Sequence, residues 1–380
     1  MNDQHNHIQI AINTLALLLI LYLTGLPCRA QAPADKIENF FHSAYEAGHF
    51  HGAAIVARGS DVIYRGAFGL ADFEYELPNR PEMPFPVHSI TKSFTAILVL
   101  QLVEEGILNL NGTLHEYLPD YPSSAADRIT IHQMMTHTSG LPEFMLAMPG
   151  WMEFDPPDIS ADSALAFVAG LPLEYEPGEG YAYTNTCYVL LGQIIERVTG
   201  RSYAEVLEER ILAPLEMHDT QWIADLQSVP GVVRQHLPGR QDEAPNYSVY
   251  IAAWGIVSTL DDMLRFGRSL NSKRLLDSET WRLVFTPHAL PESEVRFHPA
   301  TQNPYGYGFA LPGSDTPGGD PARVALHAGL GYGGSAMFIR FLEEDWTVVF
   351  WSNRGGLPPM IPGLMPFLME ITTSATGTAD

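Results

Sequence analysis

Ser89 and Lys92 stand three residues apart in the stretch "HSITKSFTAILVLQLVEEG", residues 88–106. Positions i and i+3 share one face of a helix. The chain has only three lysines, Lys36, Lys92 and Lys273, and neither of the others has serine three residues before it. A serine hydroxyl is a weak nucleophile until a base takes its proton. A lysine desolvated against Ile90, Phe94 and the apolar run that follows has a lowered pKa and can be that base. At a helix's first turn, the free N–H groups and the positive dipole end suit an oxyanion and disfavour an ammonium. A bare S-x-x-K is more often an N-cap serine with a lysine snorkelling to solvent, so the pair needs company.

Two further clusters supply it. In "PGEGYAYTNTCY", Tyr183 is the one tyrosine of 16 with Asn two residues on. In an extended or turn segment Tyr183 and Asn185 point the same way. A phenol beside Lys92, with its pKa lowered there, can shuttle a proton, and the Asn185 amide can bind both the lysine and a substrate carbonyl. In "LHAGLGYGGSAMF", His327 opens a glycine-rich run in which Gly329 lets a substrate backbone approach closely. That run leads into a strand and does not fit G-x-G-x-x-G, which argues against a nucleotide loop.

These residues need a frame. The pattern predicts a helix over Ala34–Phe50, with Ile37, Phe40, Phe41 and Tyr45 on one stripe. A hairpin about Gly59-Ser60-Asp61 follows, then a proline-rich irregular stretch over Asp72–Val87. A helix carries Ser89 and Lys92, with its apolar stripe through Ile97, Leu98, Leu102 and Val103, and ends at Gly106. From Leu108 to about Leu260 the pattern is mostly helical pieces. The clearest of these lies in "YTNTCYVLLGQIIERVTG", with Leu190, Leu191, Ile194, Ile195 and Val198 facing a core and Gly200 as the stop. Another is capped by Ser258 or Thr259. Strands then flank a Leu342–Asp345 turn, and an apolar helix near Met360–Ile371 closes the chain. The expected fold is α+β: the first hairpin and the last strands share one antiparallel sheet flanked by helices, with a mostly helical lobe inserted. The α/β lobe spans about 34–87 plus 261–375, the helical lobe about 88–260, and pockets favour such seams.

S-x-x-K, Y-x-N and H-x-G, in that order, resemble the serine β-lactamase and penicillin-binding-protein superfamily. The resemblance is to its class C β-lactamase-like branch, which also holds DD-peptidases, D-aminopeptidases and esterases. "HGAAIVARGSDVIYRGAFGLAD", "ITIHQMMTHTSGLPEF" and "GIVSTLDDMLRFGRSL" also look like family sequence. The resemblance implies a DD-peptidase/β-lactamase-like fold, with Ser89 as nucleophile, Lys92 as its activating partner and Tyr183 as base or proton relay. It also implies that Asn185, His327 and Gly329 bind substrate, and that the backbone N–H groups of Ser89 and Leu330 form the oxyanion hole. The implied reaction is acylation of Ser89 followed by hydrolysis of the acyl-enzyme.

The third motif departs from Lys-Thr-Gly. His327 replaces a constant ammonium with an imidazole that is mostly neutral at pH 7, and Ala328 lacks a hydroxyl. Both changes weaken a site for a free carboxylate and favour an ester, or an amide without one. The expectation is an exported serine hydrolase of that kind acting on a small-molecule or peptide-like substrate. The alternatives are a β-lactamase or D-Ala-D-Ala carboxypeptidase, and a non-hydrolytic penicillin-binding-like module.

The remaining composition bounds the function class. The formal net charge of -23 over 380 residues repels nucleic acid and anionic membranes. The uncharged run Ile10–Thr24, followed by small residues, reads as a secretory signal over residues 1–30, with an N-terminal anchor as the alternative. The location expected is periplasmic or secreted. Cleavage after Ala30 leaves one cysteine, Cys187, in an apolar helical pattern where a buried inert thiol is expected. His132 and His137 are five apart and no H-E-x-x-H occurs, so neither a metal nor a cofactor is expected. There is no G-x-S-x-G elbow.

Overall fold

Alternation along three strands divides their apolar residues between two layers. In β1 (Gly52–Arg58), Ala53, Ile55 and Ala57 face one core, and Ala54 and Val56 the other. In β9 (Gly334–Phe341), Ala336 and Phe338 face the first, and Met337, Ile339 and Phe341 the second. In β10 (Trp346–Ser352), Val349 and Trp351 oppose Trp346, Val348 and Phe350. A period-2 element that is apolar on both faces must be covered on both.

These strands form an antiparallel five-stranded sheet in the order β2-β1-β10-β9-β8, with β2 at Asp61–Phe68 and β8 at Val324–Gly331. As the sequence pattern predicts, the first hairpin joins the last strands directly: Gly52 pairs with Ser352 and Arg58 with Trp346. On one face, the helices Pro33–Glu46 and Ile361–Ser374 bury Ile37, Phe41, Leu364, Leu368 and Ile371. On the other lies the larger core, with the helix Leu260–Ser269 against the sheet and the helix Thr91–Glu104 stacked on it through Phe94 and Phe266. Thr259 caps the second of these by accepting from Asp262 N. The computed structural model describes residues 32–148, 160–235, 248–270, 272–290, 303–313, 321–331, 333–355 and 358–374. The expected signal segment, residues 1–30, lies outside them.

Two expectations change. The Thr91–Glu104 helix has no solvent face over its first ten residues: every one from Thr91 to Leu100 is buried, so the amphipathic stripe is in fact a core helix. The segment expected to be irregular over Asp72–Val87 contributes short strands. Among them, β3 (Leu70–Asp72) pairs with β4 (Leu77–Pro78). β5 (Phe85–Pro86) joins β6 (Gln221–Trp222) and β7 (Ile256–Ser258) in a small sheet ordered β5-β7-β6. Two-residue strands carry too little alternation to show in a sequence.

Candidate active site

The small sheet fixes where the reactive turn begins. Phe85 and Pro86 pair with Ser258 and Val257, and Val87 N donates to Ile256 O at 2.9 Å. Residues His88–Ile90 then make one 3-10 turn that feeds the buried helix, and Ser89 sits in that turn. His88 takes φ +50°, a costly backbone for a residue with a Cβ. Gln235 Nε2 donates to its Nε2 at 2.9 Å, and its ring meets Trp254 edge-on at 5.5 Å. Burial pushes the His88 pKa down to about 3, so the ring stays neutral.

Lys92 is fully buried one helical turn on. Its Nζ donates to Ser89 Oγ at 3.2 Å, Asn185 Oδ1 at 2.7 Å and Ala253 O at 3.2 Å, which uses all three N–H groups of an ammonium. Burial nevertheless lowers its pKa to about 7, against the opposing charge of Glu143. The Ser89 hydroxyl also accepts from Trp254 Nε1 at 2.9 Å.

The Tyr183 ring lies beside the lysine, 4.9 Å from Nζ to the centroid. The phenol is buried, and burial raises its pKa well above the ordinary tyrosine range, with a hydrogen bond to Ser89 opposing. This corrects the expectation of a lowered phenol pKa: lysine proximity does not repay the lost hydration. Asn185 opens the helix Asn185–Thr199, whose N-cap Thr184 accepts from Thr186 N. Its side chain therefore leaves the helix start toward Lys92.

Glu143, buried and not singled out by the sequence patterns, holds this corner. Its Oε1 accepts from Met145 N at 3.1 Å and its Oε2 from Asn185 N. Burial raises its pKa, while those N–H groups and Lys92 pull the other way. His137 takes φ +60°, accepts from Thr184 N on Nδ1 at 3.2 Å, and lays its ring 4.4 Å from that of Tyr183. The turn histidine therefore backs the phenol.

His327 arrives on β8. Its Nδ1 donates to Ala328 O at 2.7 Å, and its Nε2 shares a hydrogen bond with the Tyr305 hydroxyl at 3.1 Å. Its ring lies 6.3 Å from that of Tyr183. Gly329 also has a packing role. A Cβ there would stand 2.1 Å from Val87 O and 3.0 Å from His88 Cβ, so the missing side chain lets β8 press against the Ser89 turn. Leu330 follows on the same strand, paired with Ser335. The structure thus brings Ser89, Lys92, Tyr183, Asn185 and His327 into one buried constellation, with the Gly329-Leu330 backbone alongside.

Comparison with known proteins adds the lineage. The profile of the Beta-lactamase family matches residues 37–363. The chain belongs to the beta-lactamase family. As a member it is a serine hydrolase. Penicillin-binding protein 4* of Bacillus subtilis (strain 168) is 29% identical over 350 residues, 85% of this chain and 72% of that protein. Esterase EstB of Burkholderia gladioli is 34% identical over 214 residues, 53% of this chain and 54% of its own length. The solved D-amino acid amidase of Ochrobactrum anthropi SV3 superposes with a TM-score of 0.75 at 22% identity, covering 90% of this chain and 99% of the amidase. At that identity the likeness is one of fold.

Glu143 had a readable signal: it is the one charged residue between Arg128 and Glu153, as isolated as Lys92. Trp254 and Tyr305 had none, because their contacts join segments far apart in sequence. Cys187 is buried, and burial raises its pKa to about 12, so the thiol is unreactive. Among the described residues no group of three His, Cys, Asp or Glu is arranged to hold a metal ion.

Proposed function

We propose that this chain is an exported serine hydrolase that cleaves an ester or amide through an acyl-enzyme on Ser89. The observation that carries the reading is the 3.2 Å approach of the buried Lys92 Nζ to Ser89 Oγ, with the lysine pKa near 7. At neutral pH much of Lys92 is then an amine. It takes the Ser89 proton as Oγ attacks the substrate carbonyl. The Ser89 and Leu330 backbone N–H groups receive the oxyanion. The Tyr183 phenol, held protonated by burial, gives its proton to the leaving group and recovers one from Lys92. Water then attacks the acyl-enzyme with the same groups in reverse roles.

The third motif favours an ester, or an amide without a free carboxylate. His327 is held by Ala328 O and the Tyr305 hydroxyl, so the position offers a tethered imidazole where an ammonium would reach out to bind an anion. Similarity to an esterase supports the same choice. Export to the periplasm or medium rests on the apolar run Ile10–Thr24 and the small residues after it. A second reading, a β-lactamase or D-Ala-D-Ala carboxypeptidase, is favoured by the match to a penicillin-binding protein over most of the chain.

One experiment separates them: aryl esters, amino-acid amides, D-Ala-D-Ala peptides and a chromogenic cephalosporin are assayed on wild type and Ser89→Ala. Ester or amide turnover and fluorophosphonate labelling are both expected to vanish in Ser89→Ala. Cephalosporin hydrolysis rivalling that of short aryl esters would favour the second reading, and labelling that survives Ser89→Ala would refute the assignment of the nucleophile.

A further inference from the structure

The Lys92 hydrogen bond decides which way the Asn185 amide faces. In its ammonium form Lys92 Nζ only donates, and the amide end it meets at 2.7 Å is the oxygen. The NH2 end is thereby turned the other way, where Nδ2 lies 3.3 Å from Met145 Sδ. A thioether sulfur is a weak acceptor, so this donor is shielded more than it is satisfied. Asn185 is 1% exposed and Met145 6%. A carbonyl oxygen reaching for Nδ2 must move the thioether aside.

The thioether is held in place from two directions. Its backbone N–H is tied to Glu143, and Phe144 N donates to Thr186 Oγ1 at 3.1 Å. The Phe144 ring lies 5.6 Å from Tyr250, which stacks on Trp254 at 4.7 Å, and the Trp254 indole donates to Ser89. An apolar wall therefore runs from beside Met145 to the nucleophile.

We propose that Met145 is a specificity-determining residue. Its thioether covers the Asn185 amide donor and, with the Tyr250–Trp254 wall, selects plain hydrocarbon acyl groups over acyl groups that carry an α-acylamino carbonyl. The inference rests on the reading of Ser89 as nucleophile. A plain acyl chain leaves the Met145–Asn185 contact in place. An acylamino carbonyl competes for Nδ2 and displaces the side chain, at a cost that the flexible methionine moderates but does not remove.

The test uses two esters with one leaving group and equal chain length, p-nitrophenyl pentanoate and the p-nitrophenyl ester of N-acetylglycine. The ratio of kcat/KM values cancels the intrinsic reactivity of each ester between variants. Met145→Ala is expected to shift that ratio toward the N-acetylglycine ester by about tenfold. Met145→Val, a milder truncation less prone to misfolding, shifts it the same way by a smaller factor. Met145→Leu, which keeps an apolar cover of similar volume, stays closer to the wild-type ratio than either. A ratio unchanged in both Met145→Ala and Met145→Val overturns the proposal. Hydrolysis of both esters that persists in Ser89→Ala would instead break the serine-hydrolase reading itself.

Discussion

Glu143 and Lys92 grip the same residue from two sides. The carboxylate accepts from the Asn185 backbone N–H, and the lysine donates to the Asn185 side-chain oxygen at 2.7 Å. A buried acid and a buried base thus act on each other through one asparagine. That arrangement fixes the asparagine and offsets part of the desolvation of both charges.

Glu143→Gln tests the grip. The carboxylate accepts from two backbone donors, Asn185 N and Met145 N. A glutamine amide offers one oxygen, so one of those N–H groups must face an NH2. The expected loss is about 1–3 kcal/mol of unfolding free energy, read from urea denaturation. An unchanged midpoint would show that the carboxylate does not hold the corner.

Lys92 sets the pH dependence. Its pKa in the folded chain, about 7, lies below the ordinary value of 10.5. Between those values the unfolded chain binds a proton that the folded chain has released. This group therefore makes stability rise with pH across that window, with its full penalty below pH 7. Activity follows the amine, so kcat/KM should climb through an acid limb near pH 7. Glu143→Gln removes the charge that holds the lysine pKa up, and moves the limb to lower pH. A profile flat from pH 5 to 8 would remove Lys92 from the base role.

Tyr183→Phe isolates the phenol. The ring keeps its place 4.4 Å from His137 and 4.9 Å from Lys92 Nζ. Stability should stay within about 1 kcal/mol, while kcat falls by about 10²–10⁴, the usual worth of a positioned acid or base. A loss confined to KM would make Tyr183 a binding group instead.

What was legible in the sequence followed from periodicity and rarity. That the first hairpin and the last strands share one sheet was readable because both are β-rich runs bounded by turns. Lys92 and the Tyr183-x-Asn185 pair were readable because each is rare in this chain. The phenol's pKa was not readable, because it depends on burial against His137, Tyr305 and His327, which all lie far from Tyr183 in the sequence. Trp254 escaped for the same reason: its bond to Ser89 spans 165 positions. The packing of Gly329 against Val87 was not readable, because a sequence shows that a glycine is small without showing what stands beside it.

Gly329→Ala follows from that last point. The added Cβ would meet Val87 O at 2.1 Å, and neither partner is a flexible side chain. β8 is tied to β9 through Gly329–Ala336 and its neighbours, while Val87 is tied to Ile256. Either the strand or the Ser89 turn must therefore yield, which separates the Leu330 N–H from the Ser89 N–H. The expected result is a loss of about 1–3 kcal/mol of stability, the range for overpacking. Removing an oxyanion-hole donor costs about 10²–10³ in kcat, so the activity loss should exceed what instability explains. Gly363→Ala is the control: it adds a Cβ in the helix Ile361–Ser374 with nothing within 4 Å. That change should be neutral or stabilising by up to about 1 kcal/mol. A Gly329→Ala enzyme as active and stable as the control would show that β8 does not set the distance to the nucleophile.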